Sequence, residues 1–458
     1  RLSEVGRPGG DRRRHTPLPL PTMGPGWGAR VAGAFTAPIP PEEAVPRTAD
    51  APGTPWWRRF PLWFPLGVYA VTRLIDAVYF AIMQRSQIPM VPGNGAARVI
   101  FPTPAAPGYW PLMANWDGQW YHEIAELGYP DPIPTDPVTG KVVQNPWAFY
   151  PMFPMLSRLV MRATGANFYV AGALLSTVVG AIAVVLMFRL VDRAAGRWSA
   201  IVATVATSTW VAAPVLQTDY SEACALLVIV LLLTALRGRR YWWVLVLLVA
   251  LALTRNLVLI SAPPLIAHTA VRWQRRDADP FPVRQRVGLV VLTLLSGALT
   301  FLWPTIVRLV TGDKDGYAKT MGAWGVDAFE IKLHTWVDYI YYDYGYLGWA
   351  ACLAGIGWFA WKMLSVDTAR WGPELWGWAG AYPAYMVLVT GIGPSRIRYA
   401  LLAWPVFLLL AWILNRPLLR PRRAWWLTAY ALALVALQGW WVWNYWVILG
   451  LYPDVQFP

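Results

Sequence analysis

The stretch RRFPLWFPLGVYAVTRLIDAVYFAIM, from Arg58 to Met83, decides how the rest of the chain is read. A basic pair is followed, from Pro61, by a nearly unbroken apolar run. A helix needs about 20 such residues to cross a bilayer. The positive-inside bias puts Arg58 and Arg59 in the cytoplasm, so the run is expected to lead outward. Its two interior charges, Arg73 and Asp76, stand three residues apart, neighbours on one helix face. A charge inside a membrane costs about 2.5–3.5 kcal/mol, so the two are expected to pair.

Ten further apolar runs follow, at 169–191, 198–216, 220–236, 241–253, 257–271, 287–310, 347–363, 371–390, 399–414 and 424–446. The expectation is about eleven spans. With the first directed outward, five basic clusters fall on the cytoplasmic side: Arg193 with Arg197, Arg237 to Arg240, Arg272 to Arg286, Lys362 to Arg370, and Arg416 to Arg423. Dropping either short run, 241–253 or 257–271, would invert every later loop, so both are counted. The extracytoplasmic side then receives 84–168, 217–220, 254–256, 311–346, 391–398 and the C-terminal end. The sequence predicts an all-α polytopic membrane protein of the inner (plasma) membrane. Its N-terminus is expected in the cytoplasm, with a large first extracytoplasmic loop at 84–168 and a second at 311–346.

Composition agrees. Of 458 residues, 57% are hydrophobic and only 14% charged, too few charges to coat a soluble surface of this size. The 30 tryptophans and 21 tyrosines suit interfacial belts. The net charge of +14 lies in clusters between apolar runs, so it reads as topology and not as nucleic-acid binding. Cys224 and Cys352 both lie in apolar runs and read as buried small hydrophobes, with no disulfide framework. Residues 1–55, rich in Pro, Gly and Arg, are expected to form a disordered cytoplasmic tail, and 56–458 one membrane domain.

The residues most suited to chemistry lie in the first loop. Trp116-Asp117-Gly118-Gln119-Trp120-Tyr121-His122-Glu123-Ile124-Ala125 reads as a short helix ended by Gly128-Tyr129-Pro130. Trp116, Trp120, Ile124 and Leu127 share one face, a stripe for the membrane surface or for packing on the spans. Asp117 sits where a helix N-cap worth about 1 kcal/mol would sit. An aspartate among aromatics also resembles a general base beside a membrane-embedded substrate. His122 and Glu123 are expected to point elsewhere. The prolines of Asn145-Pro146-Trp147-Ala148-Phe149-Tyr150-Pro151-Met152-Phe153-Pro154 interrupt any helix there. Asp219 reads as helix-dipole compensation at the start of a span. For Glu222 the same reading stands beside binding of an acceptor hydroxyl.

The pattern Trp116-Asp117-x-x-Trp120-Tyr121-x-x-Ile124-Ala125-x-x-Gly128-Tyr129, followed by Ala148-Phe149-Tyr150-Pro151-x-Phe153-Pro154, resembles the PIG-V family of mannosyltransferases. These are GT-C fold enzymes related to the second mannosyltransferase of GPI-anchor synthesis. Tyr220-Ser221-Glu222, Thr254-Arg255-Asn256 and Arg396-Ile397-Arg398-Tyr399 look like later elements of that family. The Ala, Arg and Trp bias points to a bacterial, actinobacterial-type member. The resemblance implies a GT-C glycosyltransferase that moves mannose from polyprenyl-phosphate-mannose to a lipid or glycan acceptor, with inversion. By that carry-over Asp117 is the general base. Trp116, Gln119, Trp120, Tyr121, Tyr150, Glu222, Arg255, Asn256, Arg396, Arg398 and Tyr399 are candidates for substrate binding. A departing phosphate needs positive charge, for which Arg255, Arg396 and Arg398 are placed on the outer side, with Lys314 and Lys319 as lesser candidates. The ordinary alternative for each arginine is an interfacial anchor. No cofactor is expected, and a metal is not indicated: the chain has no clustered His or carboxylate motif. Membrane lipids are the expected surroundings and nucleic acid is not an expected partner. Two rivals stand beside this reading, a flippase or transporter of lipid-linked sugar and a non-catalytic glycolipid-binding subunit.

Overall fold

The computed structural model describes residues 62–92, 99–326 and 330–450, together with 30, 33 and 35. The tail expected at 1–55 lies, but for those three residues, outside the described ones. Among the described residues the architecture is helical, with two isolated β-bridges, Met90–Thr103 and Thr135–Val142, in the first loop.

Among the described residues, four helical stretches are long and apolar enough to cross a membrane: Trp63–Ser86, Phe168–Ala195, Val283–Thr311 and Ser395–Leu414. The chain is a multi-pass membrane protein. Each of the eleven expected runs contains helix, but several are shorter than a span. Arg197–Thr209 and Ala262–Gln274 have 13 residues each, about 20 Å at 1.5 Å per residue. Prolines account for several interruptions. A proline ring clashes with the carbonyl four residues back and offers no N–H. Thus 3-10 turns at Val258–Ser261, Leu299–Phe301 and Ala400–Phe407 hold the carbonyls that face Pro263 and Pro264, Pro304, and Pro405.

We number the helices that position the site. Helix α1 is Trp63–Met83, α2 Gly118–Glu126, α3 Met152–Thr164 and α4 Phe168–Ala195. Then come α5 Arg197–Thr209, α6 Glu222–Arg237, α7 Leu333–Met363 and α8 Pro373–Val389. The short helix α9 is Ser395–Tyr399, and α10 Arg423–Trp441 runs into a wide turn at Val442–Trp446.

Helix α4 is the central post, packed on α1, α5 and α6. The Asn167 side chain caps it by accepting from the Val170 amide at 3.1 Å. Tyr69 of α1 lies against Gly180 of α4, where no side chain would fit, and donates to the Leu216 carbonyl at 3.2 Å. Arg73 and Asp76 pair at 2.8 Å as expected. Arg73 also donates to the Ser208 carbonyl at 3.0 Å and to that of Ala213, satisfying the buried charge at the end of α5.

The segment 311–346 is largely helical: Gly316–Ala323 forms a short helix, and α7 begins at Leu333. It continues to Met363 with a break at Gly345, whose φ of 59° suits a residue without a side chain. One sequence expectation, the burial of Cys352, is corrected. Cys224 is buried but Cys352 is exposed on α7, because that helix packs on little besides α8.

Candidate functional site

The approach to Asp117 is held from three directions. Trp116 adopts a φ of 57°, rare for a residue with a side chain. Its indole donates to the Trp446 carbonyl at 3.0 Å, which also accepts from the Asn115 amide at 3.0 Å. The Trp446 indole in turn donates to the Leu112 carbonyl at 2.9 Å. The buried Tyr220 hydroxyl donates to the Asn115 carbonyl at 2.9 Å and accepts from the Asp117 amide at 3.0 Å. The end of α10 and the start of α6 therefore fix the turn that enters α2.

Asp117 stands at the N-cap position of α2, but its carboxylate makes no capping hydrogen bond. It accepts instead from the Arg398 guanidinium at 2.8 Å. The other terminal nitrogen of Arg398 lies 3.2 Å from Glu222, and Arg255 donates to the same Glu222 oxygen at 2.7 Å. Four residues from four separate segments thus form one alternating chain of charge: Asp117, Arg398, Glu222, Arg255. Arg398 is 3% exposed and Glu222 is fully buried, whereas the Asp117 side chain is 31% exposed. The exposed end of the chain is the carboxylate.

Aromatic rings line the cationic members. Arg255, Arg396 and Arg398 all lie over the Tyr399 ring, at 4.8, 5.1 and 5.1 Å, and Arg398 also lies 4.8 Å from the Tyr220 ring. Arg396 donates through Nε to the Gly391 carbonyl. Three guanidiniums face two carboxylates, which leaves one net positive charge at the site. Arg255 also donates to the Ser221 hydroxyl at 3.2 Å, which accepts from Tyr121 at 3.0 Å. Burial pushes the Tyr121 phenol well above its ordinary pKa although the Arg255 charge pulls it down, so it remains a donor.

Other candidates have scaffold partners. Gln119 accepts from the Ile100 amide at 3.0 Å. Trp120 is buried, stacked on Phe149 at 5.8 Å and edge-on to Trp324 at 5.2 Å. Tyr150 lies with its hydroxyl 3.3 Å from that of Tyr317 and its ring on Trp303. The Asn256 carbonyl accepts from Tyr385 at 2.9 Å. Lys319 pairs with Asp313 at 2.6 Å on the surface. The expected apolar stripe of α2 is split: Trp120 and Ile124 are buried and Leu127 is exposed, because Gly128, with a φ of 88°, turns the chain away.

The Asp219 side chain, read from the sequence as compensating a helix dipole, makes no hydrogen bond at the start of α6. It is fully buried, and burial pushes its pKa well above the carboxylate range. Its carboxyl is wedged against Gly172. His122 does point away from Asp117: its ring is stacked between Phe101 at 3.8 Å and Phe168 at 4.7 Å. Burial lowers its pKa to about 4.

Sequence reasoning left Trp446 unassigned, and no local pattern marks it. Tyr220 and Ser221 belong to a motif that was recognised, beside Glu222, yet neither was given a role.

No family model and no curated protein matches the chain. Among solved structures it is similar to the oligosaccharyltransferase AglB of Archaeoglobus fulgidus. In complex with an inhibitory peptide and a dolichol-phosphate, that structure shares 13% identity and a TM-score of 0.42, over 88% of this chain and 57% of that one. The apo form gives 12%, 0.43, 85% and 57%. The form tethered to an acceptor peptide gives 13%, 0.41, 85% and 55%. The chain thus spans little more than half the length of these proteins, and TM-scores this low do not assign a fold.

Proposed function

We propose that this chain is an inverting membrane glycosyltransferase of GT-C type. It moves mannose from polyprenyl-phosphate-mannose to a lipid or glycan acceptor on the extracytoplasmic face, with Asp117 as general base. The observation that carries the reading is the charge chain Asp117–Arg398–Glu222–Arg255, which ends on a partly exposed carboxylate.

The chemistry divides among these residues. Asp117 takes the proton from the acceptor hydroxyl, whose oxygen attacks the anomeric carbon. The bond from that carbon to the phosphate oxygen breaks, and polyprenyl phosphate leaves with the electron pair. Negative charge grows on the leaving group, where fixed positive groups lower the barrier most. Arg255, Arg396 and Arg398 supply them, and their single net positive charge suits a phosphodiester monoanion. One oxygen of Glu222, Oε1, is shared by Arg255 and Arg398, so in this reading it orients the cations. A positioned base contributes about 10²–10⁴ in rate.

The test is transfer of label from radiolabelled polyprenyl-phosphate-mannose to an envelope lipid extract by protein in lipid. Wild type is expected to form a labelled product and Asp117→Asn to lose at least about 100-fold. Undiminished transfer by Asp117→Asn removes Asp117 from the mechanism. Absence of transfer by wild type overturns the donor assignment.

A further inference from the structure

Residues 339–346 hold five tyrosines in eight positions: Tyr339, Tyr341, Tyr342, Tyr344 and Tyr346, with Asp343 among them and Asp338 just before. They sit on α7 at its Gly345 break. Tyr342, Tyr346 and Tyr344 are 81%, 76% and 64% exposed. The fold still orders the cluster. Tyr341 meets Tyr342, Tyr346 and Trp349 edge-on at 5.7, 5.4 and 6.1 Å. The Trp349 indole donates across the break to the Val337 carbonyl at 3.0 Å.

Two contacts tie this segment to the charged site. Just before it, Trp336 donates to the Thr390 carbonyl, and Thr335 accepts from the Ile392 amide at 3.1 Å. Between those two residues lies Gly391, whose carbonyl holds Arg396.

We propose that residues 339–346 form a saccharide-binding platform, an outer subsite for the glycan part of a sugar-bearing acceptor. This deepens the function proposed above and rests on it for the role of acceptor. The binding itself does not depend on transfer.

A tyrosine offers an apolar face on which the C–H face of a sugar ring packs, and a hydroxyl at its edge. Asp338 supplies an acceptor for sugar hydroxyls, and Asp343, hydrogen-bonded to the Tyr339 hydroxyl, keeps acceptor capacity on its remaining lone pairs. The competing explanation is a headgroup belt, in which rings anchor a spanning helix. Residues 333–346 hold two carboxylates and no Lys or Arg, the residues that join Trp and Tyr in anchoring a span at the headgroups. The composition therefore favours sugar.

The experiment is saturation-transfer NMR on the full chain in nanodiscs, without donor, using mannotetraose, arabinotetraose and cellotetraose. At least one is expected to take up saturation on its ring protons. The double variant Tyr342→Ala, Tyr346→Ala is expected to lose that signal at least fivefold, while Tyr342→Phe and Asp117→Asn keep it. No saturation of any of the three, or an unchanged signal in the double variant, overturns the platform. An unchanged signal with poorer incorporation of the double variant into bilayers identifies a headgroup belt. Because wild-type binding is read without turnover, a failed transfer assay leaves this result independent.

Discussion

The Asp117 carboxylate and the Arg398 guanidinium meet at 2.8 Å across 281 positions of sequence. The carboxylate, which makes no capping bond to α2, is oriented by a buried cation. If the two act together in transfer, their losses are not additive. Arg398→Ala is expected to lower kcat/KM by at least about 100-fold, as Asp117→Asn does, and the double variant by little more than either. Arg398→Lys restores little, because one ammonium cannot span both Asp117 and Glu222. A double-mutant cycle on the transfer assay checks this; additive losses would mean that the pair is structural.

Glu222 is the shared anion of two buried arginines. Removing one partner of a buried pair costs about 3–5 kcal/mol, since the remaining charge has no water to turn to. Glu222→Gln is therefore expected to lower the thermal unfolding midpoint strongly. Ser221→Ala, which removes a hydroxyl contact of Arg255 and the acceptor of the buried Tyr121 hydroxyl but leaves every charge paired, is expected to cost less, about 1–3 kcal/mol. Thermal unfolding in one detergent ranks the two, and equal midpoints would contradict the charge chain.

Burial holds His122 neutral, with its pKa lowered from 6.5 to about 4, despite Glu126 at 3.7 Å. Between those values the unfolded chain binds a proton that the folded chain does not. Stability is therefore full above pH 6.5 and falls as the pH drops toward 4, by about 3 kcal/mol in all. His122→Phe keeps the stack between Phe101 and Phe168 and removes the proton. Its unfolding midpoint is expected to vary less between pH 6.5 and 4.5 than that of wild type.

Asp219 has the opposite sign. Its raised pKa means that the folded chain holds a proton which the unfolded chain releases, so this residue costs stability as pH rises above the ordinary carboxylate range. Asp219→Asn keeps the shape without the ionisation. It is expected to raise the midpoint at pH 7 to 8 and to leave transfer within about threefold. A lower midpoint with lost transfer would show that the carboxylate works in its charged form.

The apolar runs of the sequence place the helices well, since length and hydrophobicity act locally and a buried backbone must bond to itself. The first run, 61–83, is observed as Trp63–Met83, and the start of α2 is observed beside Asp117. Prolines at 263, 264, 304 and 405 shorten or tighten helices for reasons also local to the chain.

The sequence by itself determined a multi-pass helical protein, the paired Arg73 and Asp76, and a short helix opening at Asp117. It also nominated Asp117, Glu222, Arg255 and Arg398, but as separate suggestions, each with an ordinary alternative. Only the tertiary structure decided that they form one chain, that Gln119 and Trp120 have partners in the scaffold, and that the Asp219 carboxyl is buried without a hydrogen bond. The physical reason is range. A helix is specified by neighbours within a turn or two, whereas a charge is satisfied by whichever opposite group the packing of α2, α6 and α9 brings within 3 or so ångströms.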